Sequence, residues 1–215
     1  MKQYTSGEMM RTKNFYLLLA TMFFGLISYF MVSPVSQTYQ IDLGIPSAVA
    51  VSAVMLGSIV NAGARLVLPT LADKVGRIVC IKGVLIVAVI AMGVLAVSRS
   101  LAVTVAVVLM YGCYGGIMGS FPSLTSSIFG MKHTGENYGF VMFGIVFATF
   151  GAPAISGLVS SNGYEMNVVF GIGAVFAVIA FVCLTLLGRN LVKEHAEKSV
   201  GAKKGTAQVR KPQAE

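Results

Sequence analysis

Residues 47–72, from Ser47 to Ala72, read SAVAVSAVMLGSIVNAGARLVLPTLA, and this stretch decides the fold. It carries one charge, Arg65, and as a helix rising ~1.5 Å per residue it is long enough to cross a hydrocarbon core of ~30 Å. No period-2 alternation offers a strand in its place. Arg65 lies ~12 Å along the helix axis from Asp73, the next charge, and therefore near the middle of that core. An Arg at such depth costs ~2.5–3.5 kcal/mol on insertion scales, so it is expected to face a bundle interior and to meet an anion. No carboxylate elsewhere in the sequence lies at a matching depth, which makes the substrate the expected partner.

Helical geometry sorts the rest of the stretch. At ~100° per residue, Ser58, Asn61, Ala62, Arg65, Pro69 and Ala72 share one side, and Leu56, Ile59, Val60, Leu66 and Val67 the other. A small, polar stripe with one cation suits a water-lined anion path. Two further readings of Arg65 stay open: it can snorkel toward an interface, or pair with a carboxylate outside this chain.

Five more stretches are long and apolar enough to span, at about Phe15–Gln37, Ile78–Val97, Leu101–Phe129, Tyr138–Val159 and Val168–Leu187. The whole chain is 56% hydrophobic and 11% charged, with a mean hydropathy of +0.81, outside the soluble range. The expected class is an all-α membrane protein of six helices joined by short connections, so that successive helices run antiparallel. The first stretch is too long for a signal peptide, and no cleavage site follows a short apolar core.

The net charge of +8 does not point to nucleic acid, because its distribution follows the connections. Lys2, Arg11 and Lys13 precede the first span, Lys74, Arg77 and Lys82 surround the second connection, and Lys132 marks the fourth. Seven more basic residues lie between Arg189 and Lys211, whereas the alternate connections carry only Arg99. By the positive-inside rule, both termini are expected in the cytoplasm and the chain in the inner (plasma) membrane. The chain divides into a short polar segment at 1–13, the six spans at 14–187 and a basic tail at 188–215, expected to be disordered beyond its first turns. Attraction of that tail to anionic headgroups is a secondary reading.

Cys80, Cys113 and Cys183 fall in different spans without metal-ligand spacing and read as reduced packing residues; neither metal nor cofactor is expected. With no Trp, interfacial anchoring falls to residues such as Tyr4, Tyr16, Tyr138 and Tyr164. Gly112-x-x-x-Gly116 and Gly115-x-x-x-Gly119 overlap in the fourth span and allow close helix approach. Pro34, Pro69, Pro122 and Pro153 lie in or near spans, where proline bends helices. Paired carboxylates and His/Asp/Glu clusters are absent from the spans, so enzymatic chemistry has no residues to perform it.

The second connection, Leu71-Ala72-Asp73-Lys74-Val75-Gly76-Arg77, resembles the loop signature of the major facilitator superfamily, Gly-x-Leu-Ala-Asp-Arg-x-Gly-Arg-Lys. Pro69 stands where the first Gly belongs, and Ile78 replaces the last basic residue. Gly76 permits a tight turn, Arg77 can bind helix C-terminal carbonyls, and Asp73 can sit against a helix N-terminus. The resemblance assigns Asp73, Lys74, Gly76 and Arg77 to conformational gating.

Within the superfamily, the sequence resembles the oxalate/formate antiporter family. The resemblance is carried by Glu8-Met9-Met10-Arg11-Thr12-Lys13-Asn14-Phe15, Asn61-Ala62-Gly63-Ala64-Arg65, Tyr114-Gly115-Gly116 with Phe121-Pro122, and Phe129-Gly130 with Asn137-Tyr138-Gly139. It runs from about residue 7 to 187 and implies the C-terminal half of a twelve-helix carrier, with residues 1–13 as the link between halves. It also implies that Arg65 is the carboxylate-binding residue. Such a half needs an N-terminal six-helix half or a second subunit, and its substrate path lies between the halves.

The family's oxalate carrier also uses a Lys in the eleventh helix, but the matching span here, Tyr138–Val159, has neither Lys nor Arg. One fixed cation suits a monoanion, so formate, lactate or pyruvate is favoured over oxalate, although an absent half can supply a second cation. Tyr111 and Tyr114 lie within ~60° of each other on the fourth span and are candidates to line the anion site with Ser58 and Asn61. Their alternative is plain packing. His133, beside Lys132 and Glu136, reads as a solvated loop residue. The competing functions are a non-transporting truncated half and a carrier for an unrelated solute.

Overall fold

The computed structural model describes the backbone of residues 3–209 and the side chains of residues 3–194 and 196. A short helix α1 (Ser6–Met10) opens on a capping box, in which Thr5 and Glu8 satisfy each other's backbone N–H groups. The first span is α2 (Lys13–Val32), begun by Thr12, whose hydroxyl accepts from the Phe15 N–H at 3.2 Å. It breaks at the 3₁₀ turn Ser33–Val35, where Pro34 removes a helical donor, and resumes as α3 (Ser36–Asp42). Then follow α4 (Ser47–Val75), α5 (Arg77–Val97) and α6 (Ala102–Phe129). The fifth span is divided at Met142 into α7 (Thr134–Val141) and α8 (Phe143–Ser161), and α9 (Met166–Val209) contains the sixth.

Six helical segments are long and apolar enough to cross a membrane: Lys13–Asp42, Ser47–Val75, Arg77–Val97, Ala102–Phe129, Thr134–Ser161 and Met166–Glu194. They coincide with the six spans expected from the sequence, and no strand occurs among the described residues. The chain is a multi-pass, all-α membrane protein. The helix of α9 continues to Val209, beyond the sixth span. The Ala, Lys and Glu content of residues 193–204 gives that segment helix propensity even without an apolar face to bury. Most of the tail's side chains, and residues 210–215 entirely, lie outside the described set.

Helix α2 packs against α9, α8 and α6, while α5 bridges α9 and α6. Leu18, Met22 and Leu26 of α2 meet Ile81, Leu85 and Met92 of α5, and Ile117 and Phe121 of α6, in one contiguous cluster. Lipid tails are as apolar as these side chains, so contact area and interhelical hydrogen bonds hold such a bundle together. Ser28 supplies one such bond, its buried hydroxyl donating to the Gly173 carbonyl at 2.8 Å. Tyr39 supplies another, to the Leu95 carbonyl at 3.1 Å.

Two helices on the flanks are left largely uncovered. Only 11% of the apolar window of α4 is buried, and 22% of that in α7–α8, against 56% for the first span. Helix α4 leans on α6 almost alone. Its buried positions are Ala50, Ala53, Gly57 and Ala72, while Leu56, Ile59, Leu66 and Val67 are exposed on one side and Ser58 and Arg65 on the other.

The segment before α2 is fastened to the connection between α6 and α7. The Tyr4 N–H donates to the Phe129 carbonyl at 2.9 Å, and the buried Asn137 Nδ2 donates to the Tyr4 carbonyl at 3.1 Å. Met9 is fully buried beneath it.

Candidate functional site

The seat of Arg65 is the point where α4 crosses α6. Gly112, Gly115, Gly116 and Gly119 face α4: Val60 and Leu68 of α4 seat their side chains on Gly112 and Gly116, and the α4 backbone itself lies on Gly115 and Gly119. A Cβ on Gly115 would collide with the Asn61 carbonyl, and one on Gly119 would stand 2.7 Å from the Arg65 carbonyl oxygen. The two overlapping glycine pairs read in the sequence therefore place the Asn61–Arg65 turn directly on the backbone of α6.

From that seat the Arg65 side chain reaches away from the apolar cluster. Its Nε donates to Asn61 Oδ1 at 3.1 Å, and the guanidinium carbon lies 5.4 Å from the centre of the Tyr114 ring. That distance is within range of a cation–π contact. Among the described residues Arg65 makes no ion pair, and its two terminal nitrogens make no hydrogen bond. A guanidinium held through Nε and its ring face keeps its outer N–H groups for a carboxylate, which they can grip through two parallel bonds.

Tyr114 is itself fixed by stacking on Tyr29, with ring centres 4.2 Å apart and planes 13° from parallel. Phe30 meets Tyr114 edge-on at 5.9 Å, and Tyr111 meets Tyr29 edge-on at 5.3 Å. The Ser33 hydroxyl donates to the Tyr29 hydroxyl at 3.3 Å.

Of the residues singled out in the sequence, Arg65, Asn61 and Tyr114 come together. Tyr111 stands one layer behind, buried against Gly57, with its hydroxyl 3.4 Å from that of Ser36. Ser58 is exposed, and its hydroxyl donates to the Val54 carbonyl at 2.9 Å, within its own helix. Tyr29 and Phe30 carry no signal in the sequence, because the first span has aromatic residues along its length and no charge to mark a depth.

At the basic end of the bundle, α4 and α5 are joined by Gly76 alone, at φ +99°. With ψ at 130°, this backbone conformation is close to glycine-only, and a residue with a Cβ would carry ~1–3 kcal/mol of strain there. The tight turn lets Arg77 pair with Asp73, its Nε at 3.2 Å and Nη2 at 3.1 Å from Asp73 Oδ1. That pair replaces the helix-terminus contacts expected of each side chain separately. Lys74 is exposed beside it. The turn lines a cavity of about 1020 Å³ together with Tyr4, Thr12, Asn14, Phe129 and Glu194, in which Asn14 Nδ2 donates to Glu194 Oε1 at 2.9 Å. The segment at 3–12 and the turn thus share one cavity. His133 Nδ1 is 4.0 Å from Glu136 Oε2 in the α6–α7 connection, away from this turn. Among the described residues no three His, Cys, Asp or Glu side chains gather as a metal site.

Residues 3–144 match the Major Facilitator Superfamily. Over 189 residues, 86% of this chain, the sequence is 26% identical to the oxalate:formate antiporter of Oxalobacter formigenes, and covers 45% of it. It is 32% identical over 146 residues, 66% of this chain, to the uncharacterized MFS-type transporter YhjX of Escherichia coli (strain K12), and covers 36% of that protein. The chain spans less than half the length of either curated relative.

Proposed function

This chain belongs to the major facilitator superfamily, and on that premise we propose that it forms the C-terminal half of a secondary carrier for small organic anions. Its six helices are equivalent to one half of the twelve-helix fold of that superfamily. The observation that carries the substrate class is Arg65: a cation within the apolar run of α4, braced by Asn61 and Tyr114, whose outer N–H groups make no bond among the described residues. Similarity to an oxalate:formate antiporter supports the same class. In this reading Arg65 grips the carboxylate, Asn61 and Tyr114 orient it, and Tyr29, Tyr111 and Ser58 shape the surroundings.

A monocarboxylate such as formate, lactate or pyruvate is the favoured substrate, because the fifth span brings no second cation to match a dianion. The anion lies between this half and an N-terminal six-helix half or second subunit. The basic end faces the cytoplasm, the protein resides in the inner (plasma) membrane, residues 1–13 link to the other half, and 188–215 extend into the cytoplasm. Reconstitution of the carrier containing this chain tests the reading through counterflow. Vesicles loaded with formate, lactate or pyruvate should take up the labelled anion, with slower uptake of oxalate. Uptake of none of these carboxylates, beside uptake of an uncharged solute, would overturn it.

The turn at Gly76 acts in gating, its Asp73–Arg77 pair being remade as the basic end opens and closes. Asp73→Asn should slow transport while leaving substrate affinity, measured by binding at equilibrium, within about threefold. Charge loss at an exposed pair is worth only ~0–1 kcal/mol, about fivefold at most, which is too little to explain a tenfold shift. A tenfold loss of affinity at unchanged turnover would move Asp73 into the substrate site.

A further inference from the structure

A second cavity, of about 590 Å³, runs between α4, α5 and α6, about a quarter turn around α4 from Arg65. Val60, Ala64, Leu68, Leu71 and Val75 form its α4 wall, Val79, Gly83 and Val87 its α5 wall, and Leu109 and Cys113 its floor on α6. At ~100° per residue, Arg65 is about 100° around α4 from the middle of that wall. The groove therefore opens outside the stripe assigned to the anion path. Its walls continue into exposed apolar positions, among them Leu71, Val75, Val79, Ile86 and Ile90.

Its shape decides what fits. The groove runs ~22 Å along the helix axis from Val60 to Val75 and is apolar throughout, a long open channel along which an unbranched hydrocarbon chain can lie. At Gly83 the groove is open, because a Cβ there would meet nothing within 4 Å. The groove ends at the basic side of the bundle, where Lys74 is exposed on its flank and has no ion pair among the described residues. Arg77, the neighbouring cation, is already held by Asp73.

We propose that this groove binds one acyl chain of an anionic phospholipid, with Lys74 meeting the headgroup phosphate. The chain enters from the leaflet at the basic end and lies over Gly83 between α4 and α5. It covers the apolar backs of the two helices joined at Gly76, so the lipid is positioned to bias the packing of the turn.

The test uses the carrier containing this chain, reconstituted in phosphatidylcholine vesicles doped with a phosphatidylglycerol that bears a diazirine midway along its acyl chain. Photolysis should place cross-links on 79–87 and 109–113 in excess of those on Val175 and Val182, exposed residues of α9. Gly83→Phe should remove the groove cross-links and leave those on α9 unchanged. Lys74→Gln should lower the preference for phosphatidylglycerol over an equally labelled phosphatidylcholine about fivefold, the effect of one surface cation. Should Gly83→Phe fail to insert, the Lys74→Gln arm decides alone, since that exposed side chain supports no packing. Equal labelling of groove and α9 surface, or a headgroup preference untouched by Lys74→Gln, would overturn the proposal. Cross-links from the groove to another protein segment would also overturn it, by making the occupant a partner helix.

Discussion

Arg65→Gln should abolish carboxylate binding by the carrier that contains this chain, and Arg65→Lys should leave only a weak remnant. A charge-assisted hydrogen bond contributes ~1.5–3 kcal/mol net, and the two parallel bonds available from the outer nitrogens of Arg65 add to at least ~3 kcal/mol. Loss of both predicts an affinity lower by over about a hundredfold for Gln. Lysine keeps the charge and loses the fork, so a fall of at least about tenfold is expected. Glutamine also removes the contact between the guanidinium and the Tyr114 ring at 5.4 Å. Isothermal binding of formate or lactate to purified carrier measures both variants, and far-ultraviolet circular dichroism checks that the helices persist. Near-normal affinity in Arg65→Gln would exclude Arg65 from the anion site and return it to a structural role.

Gly115→Ala is the second change with a large expected effect. The added methyl group would run into the Asn61 carbonyl, which is backbone and cannot rotate aside. Overpacking typically costs ~1–3 kcal/mol where side chains can yield. Here α4 must move as a whole, so the upper end is expected, together with displacement of Arg65 from Tyr114. Transport should fall by at least about tenfold and the thermal midpoint should drop. Gly93→Ala serves as the control, since a Cβ at Gly93 meets nothing within 4 Å. That change should be neutral or stabilising, by up to ~1 kcal/mol of helix propensity. Equal tolerance of Gly115→Ala and Gly93→Ala would mean that the α4–α6 crossing does not seat the cation.

These two residues show how far linear reading goes. Arg65 could be placed at mid-span, and given its polar side of α4, by counting residues along one helix. Gly115 could be recognised as a contact position from its spacing with Gly119, but nothing local names the helix that lies on it. Spacing also marked the turn at Gly76, because a break between two long apolar runs must be made where a positive φ is cheap. It did not foresee that Asp73 and Arg77 would pair with each other across that one-residue connection.

Rotation about each helix axis is a property of the sequence, so the six spans, the two sides of α4 and the place of the one charge between Ser47 and Ala72 could be read from the sequence itself. Relative placement of helices is not local. In lipid it is decided by which small-residue faces can approach and which polar groups find partners, and those choices join positions far apart in the chain. Only the tertiary structure could bring Tyr29 and Phe30 of the first span onto Tyr114, turn Tyr111 back into the packing against Gly57, and leave Ser58 bonded to its own helix. Only packing, likewise, could fasten residues 3–12 over the α6–α7 connection through Asn137 and open an apolar groove between α4 and α5.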